Sequence, residues 1–396
     1  MMKSKTLTLC SVSLLALCAV GCGGDDETDT GTELPANASE AITNYADIVY
    51  ASYSDSLEEA RALDAAIASF VAAPSQAGLT AARDAWKASR EPYLQTEVYR
   101  FYEGPIDTTE GDGGPEGLIN AWPLDESYID YVVGGEDDGM VNDPQMTIDK
   151  DTVTGANEGE NETTISTGYH AIEFLLWGQD LSDTGPGARP FTDYVTGEGG
   201  TASNQDRRGQ YLTTVSELLV ENLESLVAAW DPDESGNYRE SFLADPPATA
   251  LGKIMSGMII LSGFETGGER VQAALDSHDQ EDEHSCFSDN THRDMVQDVQ
   301  GIQNVWLGSY GSIDGVGIRD VIAAGSSDVA GRITSRIATS LDLANDIQPP
   351  FDREIADGNT AGQARVQALA DSLFDQREVL EEAFELYGLT RIPDPE

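Results

Sequence analysis

Between Ala38 and Phe70 the apolar positions Ile42, Tyr45, Val49, Tyr53, Ala60, Leu63, Ile67 and Phe70 step by three, four or seven residues. That spacing is the repeat of one helix face turned towards a core. The run "AAPSQAG" ends the pattern. "LTAARDAWKASREPYLQTEVYRF" resumes it, with Pro92 expected to kink or end the helix. "RGQYLTTVSELLVENLESLVAAW", "ATALGKIMSGMIILSGFETGGERVQAAL", "THRDMVQDVQGIQNVWLGSY" and "AGQARVQALADSLFDQREVLEEAFELY" read as further long helices. Alternating strand patterns bounded by hairpin turns are scarce. The expected class is all-α, built from helix bundles.

Two stretches interrupt the helical pattern. Residues 133–164, rich in Gly, Asp, Glu and Asn, form a long irregular insertion, which in a folded chain is usually either functional or disordered. Residues 276–294 form an acidic loop that holds three of the four histidines, His278, His284 and His292. "SDNT" at its end reads as an N-cap for the following helix. A chain of this length exceeds a usual single core, so two helical-bundle domains are expected, at 39–200 and 201–396, with the boundary near 195–206.

The N-terminus adds a compartment. Lys3 and Lys5 precede the apolar run "LTLCSVSLLALCAV", which has signal-peptide length and is short for a membrane span. It ends in "AVGC", so residues 1–21 are expected to be removed and Cys22 to carry a lipid; an ordinary secretory cleavage nearby is the alternative. Residues 22–38 read as a flexible acidic tether. Gly23, not Asp, follows Cys22, which leans towards the outer membrane over the inner, with the protein facing the periplasm or the cell surface. Two of the other cysteines leave with the signal, so Cys286 has no intrachain partner.

The formal charge is −49, or −51 once Lys3 and Lys5 leave with a segment that contains no acid. Nucleic acid and anionic membrane surfaces are excluded as partners of such a surface, since both need basic patches. Solubility in salt and attraction of cations both account for the charge.

The chemistry concentrates in "STGYHAIEFLLWGQD", where His170 and Glu173 stand three apart on an apolar helix and so share a face. Ser166 or Thr167 could cap that helix. Imidazole plus carboxylate is half of a transition-metal site; the plainer alternative is a buried His–Glu hydrogen bond between bundle helices. Glu97 in "REPYLQTEVYRF" is a candidate third donor, and Glu265 and Glu269 in "FETGGER", with Arg270 beside them, are others. Each of these could equally be a solvated face or a salt bridge. No HExxH, phosphate loop, nucleophile elbow or EF-hand spacing occurs.

"GYHAIEFLLWGQD", with its Gly-x-His-x-x-Glu core, resembles the signature of the imelysin family, exported bacterial proteins also described as iron-regulated protein A-like and as metallopeptidases. "WKASREPYLQTEVYRFYEGPID", "GPGARPFTDY", "GERVQAAL", "DQEDEHSCFSDNTHRD" and "VWLGSY" are similar to its other blocks, in order, from about residue 40 to the C-terminus. The resemblance implies two helical bundles and a pocket near their interface. It also implies a cell-envelope role connected with iron, with an uptake-system protein as partner. It carries over metal-ligand roles onto His170 and Glu173, and the Arg and Glu of its early helix less directly onto Arg90 and Glu97, with Glu97 as a further ligand. One imidazole with two or three carboxylates suits ferric iron better than zinc, which remains the alternative metal. Arg90, Arg270 and Glu269 would then support the ligands by balancing charge or holding an anionic co-ligand. In the competing metallopeptidase reading, Glu173 or Glu97 is the general base acting on a metal-bound water.

Overall fold

The computed structural model describes residues 33–395 apart from positions 112, 160 and 183; the signal segment, Cys22 and most of the tether expected from the sequence lie outside them. The architecture is all-α. Long helices span Ala38–Ala72, Gln76–Leu94, Gln205–Trp230, Ser327–Asp346 and Thr360–Leu386, with shorter ones at Gly168–Trp177 and Thr291–Leu307. Among the described residues the only strand ladder pairs Ser309–Tyr310 with Ile313–Asp314.

Packing follows the apolar faces. The helix Gln205–Trp230 lies along the first helix and against Gly168–Trp177, which also contacts Gln76–Leu94. Thr360–Leu386 packs on Ser327–Asp346 and on the segment Leu261–Gln272. The two groups touch where Thr291–Leu307 meets Gln76–Leu94 and where Pro247–Ile260 meets the first helix. Pro92 sits inside the last turn of its helix, which ends at Leu94. There a proline ring removes one hydrogen bond and the chain turns away into the short 3-10 helix Glu97–Tyr99. Gly301 lets that turn come close, because a Cβ there would meet the Gln95 carbonyl oxygen at 2.5 Å.

All ten residues of the helix Gly168–Trp177 are buried, as expected of a helix that is apolar on every side except at His170 and Glu173. Its start is specified by Gly168, whose φ is +81° and whose Cβ would stand 2.4 Å from the Ile119 carbonyl oxygen. The capping expected of Ser166 or Thr167 is not found. Instead, Asn157, across the irregular insertion, accepts from the Ser166 and Thr167 backbone N–H groups at 2.9 and 3.2 Å. The Ser166 hydroxyl is used elsewhere, donating to the Val153 carbonyl. Likewise Asn290 precedes Thr291–Leu307 without a side-chain cap bond; it donates to Asp294. In both places the side chain expected to cap bonds elsewhere.

Gly168→Ala is expected to destabilise the protein by about 1–3 kcal/mol from the backbone conformation alone, and by more because the Ile119 carbonyl must move. Gly331→Ala, inside the helix Ser327–Asp346 with open space around its Cβ position, should instead add about 0.5–1 kcal/mol. Urea denaturation of both variants checks the contrast.

Candidate functional site

His170 and Glu173 are wholly buried, with His170 Nδ1 3.0 Å from Glu173 Oε2. The other carboxylate oxygen accepts from the Ser288 backbone N–H at 3.0 Å and from its hydroxyl at 2.7 Å. Both oxygens of Glu173 are therefore engaged by protein. His170 Nε2 is buried with no hydrogen-bond partner. Burial raises the Glu173 carboxyl to about 8. Burial, then the neighbouring His284, Arg90 and Arg270, hold the His170 imidazole well below its usual range. At neutral pH the pair is thus a carboxylic acid donating to Nδ1 of a neutral ring, with the ring proton on Nε2. Ionising Glu173 moves the ring proton to Nδ1 and leaves Nε2 as a lone-pair donor.

A second histidine repeats the arrangement. The His284 ring lies 4.9 Å from that of His170, roughly perpendicular to it. His284 Nδ1 stands 2.8 Å from Asp294 Oδ2, which also accepts from the Ser285 hydroxyl at 2.6 Å and from Arg90 at 3.3 Å. Asp294 is held below the ordinary carboxylate range: burial opposes ionisation, but Arg90 and the His284 hydrogen bond outweigh it. Burial and Arg270 lower His284 to about 4, so its ring is neutral as well. Arg90, buried over the faces of Trp86, Tyr93 and Tyr169, gives its remaining bond to Asn120 Oδ1 at 2.5 Å.

Glu97 lies among arginines. Its Oε2 accepts from Arg100 at 2.8 Å and Arg270 at 2.5 Å, whereas Oε1 is buried without a partner. Burial pushes this carboxyl up, but Arg100 and Arg270 together hold it at about 2. Arg270 continues to Glu265 at 2.8 Å and Asp298 at 2.9 Å. Residues Leu261–Gln272 form a π-helix, not the α-helix expected from the sequence. Its hydrogen bonds run five residues apart, matching the separation of Glu265 from Arg270.

These groups back a cavity of about 430 Å³ lined by Asn120, Trp122, His284, Arg100 and Arg270, with the more exposed carboxylates of Glu116, Glu158, Glu265, Glu269 and Asp282 also on its lining. His170 is one layer behind, in ring contact with both Trp122 and His284. Of the residues expected to form the site, His170 and Glu173 are brought together and Arg90 and Arg270 stand against buried carboxylates. Glu269 is exposed on the cavity lining. Glu97 is committed to two arginines. Among the described residues no group of three or more His, Cys, Asp or Glu side chains is placed to hold a metal ion by itself. The residues that sequence reasoning missed are Asn120, Ser288, Asp294 and Asp298; only the acidic loop's histidines pointed towards them.

The fold and the Gly-x-His-x-x-Glu site define a class. The imelysin family model matches residues 49–380, and the chain belongs to that family. It is 24% identical over 364 residues to iron-regulated protein A of Synechococcus elongatus, covering 86% of this chain and 85% of that one. A crystal structure from Parabacteroides distasonis named for iron-regulated protein A superposes with a TM-score of 0.71 at 18% identity, covering 90% of this chain and 97% of the other. An imelysin-like protein from Psychrobacter arcticum gives 0.64 at 14%, with the same coverage. At these identities the structures establish the fold.

A carboxyl raised from its ordinary value keeps its contribution to stability below that value and loses it as pH rises through the folded one. Glu173 therefore weakens the fold progressively between about pH 4.5 and about pH 8. Glu173→Gln, which mimics the protonated acid, should have its stability relative to the parent rise between pH 5 and pH 9. Paired urea titrations at the two pH values measure this; an unchanged difference would mean that Glu173 is ionised throughout.

Proposed function

We propose that this imelysin-family protein is an exported, lipid-anchored protein of the cell envelope that binds iron, or an iron complex, for uptake. The observation that carries the reading is the pair of buried neutral histidines. Each has Nδ1 held by an acidic side chain, the arrangement that orients metal-binding imidazoles, and the Nε2 of His170 has no protein partner. His284 is the nitrogen donor at the cavity wall. His170 lies behind it and becomes accessible when the Trp122 or His284 ring shifts. Glu173 acts here by orienting His170, since both of its oxygens are occupied. Glu97, kept ionised by Arg100 and Arg270, stands behind the cavity lining and holds those two arginines in place. The carboxylates on the lining raise the local cation concentration. Anchoring through Cys22, on the outer membrane in preference to the inner, and delivery to an uptake-system protein belong to the same proposal.

The metallopeptidase alternative needs a base free to take a proton from a metal-bound water. Glu173 and Glu97 do not line the cavity, and each is held by buried protein donors. The binding role is the better supported of the two.

Ferric and zinc titrations of the chain from Gly24 onward, with a chelator competitor to suppress surface uptake, test the reading. One ferric ion per chain is expected, bound at least tenfold more weakly by His284→Ala and by Glu173→Gln. The glutamine amide donates to Nδ1 and locks the proton on Nε2. Because Nε2 becomes a donor atom only when Glu173 ionises, binding should release a proton and tighten as pH approaches about 8. Preference for zinc at the same site would favour the peptidase, and equal binding by all three proteins would leave only the acidic surface as the cation collector.

A further inference from the structure

We propose that the metal enters this cavity already carrying an oxygen-donor anion, and that Asn120 recognises the anion through its side-chain N–H groups; the inference rests on the iron-binding reading. Asn120 is 3% exposed and lines the cavity. Its amide orientation is fixed, since Arg90 has only donors to offer and bonds to Oδ1. Nδ2 is therefore the atom left over, buried and without an acceptor. Nε of Arg100 and of Arg270, two other lining residues, is also buried and unpartnered. Buried donors are nearly always paired, so three of them around one cavity point to acceptor atoms supplied by a ligand.

Two further observations identify that ligand. First, the protein offers too few donors. No three acidic, histidine or cysteine side chains among the described residues converge on one point, so a metal held here needs ligands of its own. Second, a free anion is disfavoured. Glu97, Glu116, Glu265 and Asp298 already surround Arg100 and Arg270, and Glu158, Glu269 and Asp282 line the same cavity. Only an anion whose charge is offset by a bound cation escapes that repulsion. The ligand is thus a metal with a carboxylate-type oxygen donor, either carbonate or a carboxylate group of an organic chelate.

The test measures ferric binding to the mature chain, lipid included, in detergent. A catecholate competitor, which carries no carboxylate, keeps the iron soluble. Three arms are compared: carbonate-free buffer, added bicarbonate and added citrate. Asn120→Asp runs in parallel, because it retains an acceptor for Arg90 and replaces the unpaired amide donor with an oxygen. Binding at least tenfold tighter with bicarbonate or citrate than without either is expected, with no binding of either anion alone, and the enhancement should be lost in Asn120→Asp. The arm that responds identifies the anion's source. Equal ferric affinity in all three arms, unaltered by Asn120→Asp, would overturn the anion inference and leave iron binding standing. Absence of ferric binding in every arm would overturn the iron reading itself. The anion dependence is read on the parent protein, so it holds even if the variant folds poorly.

Discussion

The ion pair between Arg90 and Asp294 is the contact on which the site's geometry hangs. Both side chains are wholly inaccessible to solvent, and neither charge is tolerable there without the other. Asp294 gathers Arg90 from the second helix, His284 and Ser285 from the acidic loop, and Asn290 from its own helix start. Arg90 extends the connection to Asn120 in the irregular segment that follows. The position of His284 at the cavity wall and the orientation of the Asn120 amide thus derive from one buried charge pair. Removing either partner would cost about 3–5 kcal/mol and release the loop that also supplies Ser288 to Glu173.

A second network constrains Arg100 and Arg270 on the same cavity. Arg100 and Arg270 lie between Glu97, Glu116, Glu265 and Asp298, and burial penalises every ionised member. The network resolves this unevenly. Glu97, touched by both arginines, stays ionised down to about pH 2, whereas burial leaves Asp298 titrating at about 7 despite its own bond to Arg270. The π-helical turn is part of the solution: it sets Glu265 and Arg270 five residues apart in bonding reach, while Thr266 donates to Asp298 from the same turn. Such turns recur at functional sites because they spend helix regularity on side-chain placement.

How much of this was legible in the sequence follows from how local each feature is. The long helices and the His170–Glu173 pair depend on spacings of three and four, which a helix converts directly into a shared face. The π turn was not legible, because its apolar pattern over so short a stretch matches an α-helix. Ser166, Thr167 and Asn290 misled as caps, since Asn157, Val153 and Asp294 engage them in bonds that no helix-start rule anticipates. Asn120 lies where no periodicity applies, and only the Arg90 contact gives it meaning. Ser288 and Asp294 reach the histidines by the folding of the acidic loop, and no spacing rule connects residue 173 to residue 288.

The distribution of charge completes the physical account. The chain carries 22 Lys and Arg against 71 Asp and Glu, yet Arg90, Arg189, Arg208 and Arg270 are buried, each paired with an internal carboxylate. Because each buried cation is matched by a buried carboxylate, the exterior keeps a strongly acidic excess. Long-range attraction of cations is therefore a property of the surface and is weakened by salt. On the proposed iron-binding role, selection among cations would fall to the interior, where arginines pair with buried carboxylates and two neutral imidazoles remain. A bare multivalent ion would be drawn to the cavity but would find few donors within. A complex that brings its own oxygen ligands satisfies both halves, because its reduced charge suits the arginine-lined interior and its oxygens suit the unpaired N–H groups.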